Sequence, residues 1–86
     1  MKDELLAIIE HYGIKNQIQK TFEELDELAT ALDEKNERHI AEEIADVLIM
    51  LEQIKLIYGI LDTDIDAIQA YKIKRTLERM QGGIDE

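Results

Sequence analysis

Between Ile14 and Tyr58 apolar residues recur at steps of three and four, and the chain contains no proline to break the pattern. In the first half they are Ile14, Ile18, Phe22, Leu25, Leu28, Ala29 and Leu32. In the second they are Ile40, Ile44, Val47, Leu48, Leu51, Ile54 and Tyr58. A repeat of this period draws a continuous stripe on an α-helix and is foreign to the two-residue alternation of a half-buried strand. The polar run Asp33-Glu34-Lys35-Asn36 closes the first helix at about Glu34. Asn36 is a good N-cap for the second, which runs from about Glu37 to Tyr58 and stops at Gly59. Ile49, Met50, Leu56 and Ile57 lie off the stripe of this second helix. A helix apolar nearly all round is buried on several sides, so a second subunit is expected to pack on it.

Two further elements flank this pair. Residues 3–12 read as a short helix with Asp3 as N-cap, Gly13 just past its end, and Leu5, Leu6, Ile8, Ile9 and Tyr12 on one face. His11 suits the partial negative charge of a helix C-terminus, and no catalytic role is expected of it. After a turn at Gly59–Asp62, Thr63-Asp64-Ile65-Asp66 resembles a capping box with Asp in place of Glu. A fourth helix follows to about Met80, with a less regular stripe of Ile65, Ile68, Tyr71, Ile73, Leu77 and Met80, and Gly82-Gly83 ends it. Residues 81–86 are expected to form a flexible tail.

The expected fold is all-α: a single domain over residues 1–86, a four-helix bundle-like subunit completed by homo-oligomerisation. At 86 residues the chain is near the lower limit for a self-sufficient core. Small chains recruit disulfides, metals or partner subunits, and with no cysteine, only oligomerisation and a metal site built from oxygen ligands remain. The net charge of −10 argues against nucleic acid as a partner, because neutralisation of phosphates drives that binding. No apolar run approaches the roughly 18–20 residues needed to span a bilayer. The start, Met1-Lys2-Asp3-Glu4, is too acidic for a signal peptide. The expected compartment is therefore the cytoplasm, away from any membrane.

The acidic residues are unevenly placed. Residues 23–46 carry ten Asp and Glu against Lys35 and Arg38 alone. Within this stretch Glu24 and Glu27 stand beside the stripe of the first long helix, and Glu43 and Asp46 beside that of the second. At about 100° per residue, each pair falls near −100° and −160° from its stripe residue, Leu25 or Ile44. Two antiparallel neighbours can aim such pairs at one point. His39, Met50, Ile54 and Ile57 share the side of Glu43 and Asp46, so these two carboxylates interrupt an otherwise apolar surface. Glu24 and Glu27 are expected on a rim. Bare carboxylates on a buried surface are costly unless paired or metal-bound, and hard divalent cations prefer oxygen ligands. Spacing alone favours a solvated acidic face over a metal site, since carboxylate pairs three apart arise easily among 20 acids.

The run Glu23-Glu24-Leu25-Asp26-Glu27-Leu28, followed by Glu42-Glu43-Ile44-Ala45-Asp46-Val47-Leu48, resembles the paired ExxE and ExxD signature of MazG-like nucleotide pyrophosphohydrolases. These belong to the all-α NTP pyrophosphatase superfamily, and the likeness extends from about Gln17 to Arg79. The resemblance implies an enzyme that uses magnesium, with manganese as an alternative, to cleave a nucleoside triphosphate between its α and β phosphates. By motif position Glu24, Glu27, Glu43 and Asp46 would hold the metal, and Glu27 is the candidate to take a proton from the attacking water. Four of the ten basic residues, Lys72, Lys74, Arg75 and Arg79, fall within the fourth helix. Lys72, Arg75 and Arg79 share a face there and are candidates to grip phosphate oxygens; the helix dipole alone would also favour cations at that end. Gln17 and Lys20, two turns and one turn before Glu24, are candidates to meet the nucleotide. His39 is expected to be structural. The function so implied is nucleotide-pool housecleaning by a homodimer or dimer of dimers. The rival is a non-catalytic helical interaction module whose acidic face binds a basic protein.

Overall fold

A computed structural model describes residues 1–82; the expected stop at Gly83 and the rest of the tail lie outside the described residues. The chain is all-helical, with α1 at Lys2–Tyr12, α2 at Ile14–Glu34, α3 at Glu37–Tyr58 and α4 at Asp62–Gln81. Helices α2 and α3 form an antiparallel hairpin, and α1 folds back against both.

The turn between α2 and α3 is built as the sequence predicts on one side and under strain on the other. Asn36 Oδ1 accepts from the His39 amide at 3.2 Å, satisfying one orphan donor of the α3 N-terminus. Lys35 ends α2 in the left-handed region (φ 62°, ψ 26°), with its amide donating to Ala31 and Leu32 carbonyls. Gly59 takes the same conformation at the end of α3, where glycine bears it without steric cost. Two other expected caps are not formed. Helix α1 begins at Lys2 with Met1 as N-cap, leaving Asp3 in the first turn. Helix α4 opens at Asp62 behind Leu61, so the Thr63–Asp66 box lies inside the helix, and the helix runs on to Gln81. An ion pair from Lys55 to both Glu52 and Asp62 bridges the α3–α4 corner, and these partners raise the lysine pKa.

The hairpin does not close along the apolar stripes. On α2 the buried positions are Gln17, Thr21, Glu24 and Ala31, and on α3 they are Glu43, Val47, Met50 and Gln53. Each of the exposed residues Phe22, Leu25 and Leu32 directly follows a buried one, and so do Ile44, Leu48 and Leu51. One step is about 100° around the axis, so both stripes are turned to the same side of the hairpin, and their side chains form one continuous outward face. The opposite side carries Lys20, Asp46 and Ile49, each one step before a buried residue, and is the side that α1 approaches with Ile8 and Tyr12.

Helix α4 packs on no other helix among the described residues, and none of its side chains is buried. The radius of gyration is 16.1 Å, against about 12 Å for a compact chain of this length. The exposed surface is 6959 Å², whereas a compact monomer of this mass exposes about 5,200 Å². The outward face of the hairpin and the apolar residues Ile68, Tyr71, Ile73, Leu77 and Met80 of α4 are exposed.

Candidate metal and nucleotide site

Antiparallel pairing places Gln17 opposite Gln53, where the Gln17 amide Nε2 donates to Gln53 Oε1 at 2.8 Å. The same register sets Glu24 opposite Asp46 and Glu27 opposite Glu43. Carboxylate oxygens of Glu24, Glu27 and Glu43 lie within 4.8 Å of one another. Asp46 stands beside them, close enough to act electrostatically on Glu43.

Burial divides these four differently from the pattern expected from the wheels. Glu24 and Glu43, one from each helix, are 5% and 7% exposed, Glu27 is exposed and Asp46 is half-buried. The contact runs one step off the apolar stripe, so it takes the first acid of each pair into the interface and leaves the second at its edge. Neither pair as a whole is a solvated rim.

Each buried carboxylate has one oxygen engaged. Glu24 Oε1 meets Lys20 Nζ at 3.2 Å, a contact that raises the lysine pKa. Glu43 Oε1 meets His39 Nε2 at 3.4 Å, and His39 Nδ1 lies 3.5 Å from Glu34 Oε2. The other oxygens, Glu24 Oε2 and Glu43 Oε2, are buried without a hydrogen-bond partner. Burial, followed by the charges of Glu27, Asp46 and Glu24, pushes the Glu43 carboxyl above the usual carboxylate range. Two orphaned anionic oxygens, with a third carboxylate beside them, form a donor set suited to a hard divalent cation. Bonds of 2.0–2.1 Å in an octahedron put ligand oxygens roughly 3–4 Å apart, so small side-chain movements close the observed spacing. Glu24, Glu27 and Glu43 would hold such an ion, with Asp46 next in reach.

Recesses open on both sides of the carboxylates. One of about 440 Å³ is lined by Asp26, Glu27, Thr30, His39 and Glu43. The other, of about 380 Å³, includes Lys20, Glu24 and Asp46 and extends to Gln17, Gln53 and α1. Gln17 and Lys20 therefore sit where the sequence placed them, two turns and one turn from Glu24. Lys72, Arg75 and Arg79 do not: α4 packs on neither α2 nor α3, so a single chain does not bring them to the carboxylates. Arg75 instead lies 5.8 Å over the ring of Tyr71 on its own helix. His39, expected to be structural, meets Glu43, a contact that their i,i+4 spacing signals, whereas Gln53, 36 positions from Gln17, carried no local signal.

The chain is all-helical, and each arm of its central hairpin carries a buried carboxylate with one oxygen that has no hydrogen-bond partner. The family model of the MazG nucleotide pyrophosphohydrolase domain matches residues 13–78. The chain belongs to that family. The match begins at Gly13, immediately after α1, and ends inside α4. Among curated proteins and among solved structures, no match to this chain was found.

Proposed function

We propose that the protein is a magnesium-dependent nucleoside triphosphate pyrophosphohydrolase of the cytoplasm, manganese serving as an alternative ion. It cleaves (d)NTPs between the α and β phosphates and clears unwanted nucleotides from the pool. Water adds to phosphorus, the bridging P–O bond breaks, and the products are a nucleoside monophosphate and pyrophosphate. The observation that carries this reading is the pair of buried oxygens, Glu24 Oε2 and Glu43 Oε2, without hydrogen-bond partners. Held by Glu24, Glu27 and Glu43, a divalent cation would supply neutralisation of the phosphates and a lower pKa for the attacking water.

The chain's own residues supply the rest. Glu24 and Glu43 hold fixed negative charge at the floor of the hairpin. Lys20, paired with Glu24, directs one of its oxygens and leaves the other to the ion. His39 does the same for Glu43. Glu27 is exposed at the edge and is the carboxylate best placed to accept the proton of the attacking water.

Assembly as a homodimer or dimer of dimers is part of the proposal. The outward face of Phe22, Leu25, Leu32, Ile44, Leu48 and Leu51 supports it, since contiguous apolar patches of this kind mark interaction sites. The basic face of α4, with Lys72, Arg75 and Arg79, then has a route to phosphate oxygens at the site of another subunit. Incubation with a panel of canonical and modified (d)NTPs and magnesium, scored by pyrophosphate release, tests the reaction. Release is expected, with loss in Glu43→Gln. Folded protein that releases none from any member would overturn the reading and favour a non-catalytic interaction module.

A further inference from the structure

Gln53 is the most completely enclosed large side chain described, 1% exposed, and it carries an amide. Its oxygen is satisfied by Gln17 Nε2. Its nitrogen, which has two hydrogens to donate, meets the Met50 thioether at 3.8 Å, and a thioether is a weak acceptor. A buried amide donor offered so little is costly, and here it lines a recess rather than a closed core.

That recess has the form of a small-molecule site. Its volume of about 380 Å³ falls within the roughly 300–1,000 Å³ of ligand pockets. Ile8 and Tyr12 from α1 and Ile49 and Met50 from α3 give it apolar walls, and besides the charged Lys20, Glu24 and Asp46 its polar groups are Gln17 and Gln53. Glu24 and Asp46 line the same recess, seven residues along their helices from Gln17 and Gln53. Seven residues are two turns, about 10 Å, enough for a sugar to separate a ring held at the glutamines from phosphates held at the carboxylates. The α1 wall is also the part of this chain that precedes the family match.

We propose that this recess receives the nucleobase, that Tyr12 covers its ring, and that Gln53, held in place by Gln17, donates a hydrogen bond to a ring carbonyl. The inference rests on the proposed hydrolase reading for its substrate, and it assigns selectivity within that class. Bases with a carbonyl where a close relative has an amine are preferred: dITP over dATP, and dUTP over dCTP. Each comparison exchanges an acceptor for a donor at nearly constant shape. A site built around a buried polar group discriminates strongly against the mismatched partner, because the mismatch leaves that group unpaired.

Two measurements test it. In steady state with magnesium, kcat/KM is expected to favour the carbonyl member of each pair by about tenfold or more. Gln53→Met, which keeps length and removes the amide, brings the ratio close to one. In chelator, without any metal, dUMP is expected to bind more tightly than dCMP, and both more tightly than ribose 5-phosphate, by calorimetric titration. Tyr12 is 58% exposed, so Tyr12→Ala leaves the fold intact. It should weaken both monophosphates by roughly 5- to 150-fold, the worth of one base–aromatic contact, without changing their ratio. Hydrolysis with equal rates for both members, or a ratio that Gln53→Met leaves unchanged, overturns the inference while the hydrolase reading stands. Selective metal-free binding with no hydrolysis of any triphosphate sustains the inference and sinks the hydrolase reading.

Discussion

Replacing Leu48 by glutamate should dissociate the assembly without unfolding the subunit. Leu48 lies at the middle of the outward face, 56% exposed, so the subunit's own packing takes little from it. Full burial of a leucine is worth about 1.5–3 kcal/mol, and about half of that remains for a partner subunit to gain. In a two-fold interface the residue counts twice, so the lost burial comes to roughly 2–3 kcal/mol per dimer. That alone raises the dissociation constant roughly 30- to 150-fold, and two carboxylates facing each other add to it. Light scattering across a concentration series, with circular dichroism as the check on folding, reads the effect. Wild type should be dimeric or tetrameric at micromolar concentration, and Leu48→Glu should move the transition upward by at least the range given. A wild-type protein that is monomeric throughout, or a Leu48→Glu protein with unchanged assembly, would refute the reasoning.

Three further outcomes follow from particular contacts. Gln17→Leu or Gln53→Leu alone strands one amide and should cost about 1–3 kcal/mol in urea unfolding, whereas the double variant should recover most of it; simple additivity would show that the bond is not the unit. Lys35→Gly relieves a left-handed residue (φ 62°) and should stabilise by about 1 kcal/mol, or roughly 4–8 °C in Tm; no gain would mean that the turn bears no strain. Glu43, held above the usual carboxylate range by burial and by Glu27, Asp46 and Glu24, gives a pH dependence of definite sign. Between its unfolded and raised folded values the native state binds more protons, so metal-free protein is most stable below that window and loses stability as pH rises through it. Thermal melts in chelator should show this decline, Glu43→Gln should flatten it, and magnesium should restore wild type by mass action. A decline that persists in Glu43→Gln would assign it to other groups.

Much of the site was legible because helices are local. The register of Glu24 with Glu27, and of Glu43 with Asp46, depends only on 3.6 residues per turn. The turn at Lys35–Asn36 follows from capping chemistry within four residues. The same locality explains the failures. Helical period shows that Phe22, Leu25, Ile44 and Leu48 share a face, but not which face closes the hairpin. An apolar stripe is wanted equally by the chain's own partner helix and by another copy. Gln53 shows the same blindness from the other side, as a polar residue inside an apolar helix whose partner lies 36 positions away.

By itself, then, the amino-acid order determined four helices, their approximate limits and the pairing of acids along them, since each depends on neighbours a few residues apart. Tertiary structure decided that the hairpin closes along Gln17, Thr21, Glu24 and Ala31 against Glu43, Val47, Met50 and Gln53, one step from the apolar stripes. That rotation of about 100° buries one carboxylate of each pair and turns the greasiest surface outward, while α4 packs on no other helix among the described residues. Its physical reason lies in the competition between burial sites. A small chain cannot cover all its apolar surface alone, and the polar seam inside the hairpin becomes tolerable once Gln17 bonds Gln53 and, on the proposed reading, a cation occupies the carboxylates.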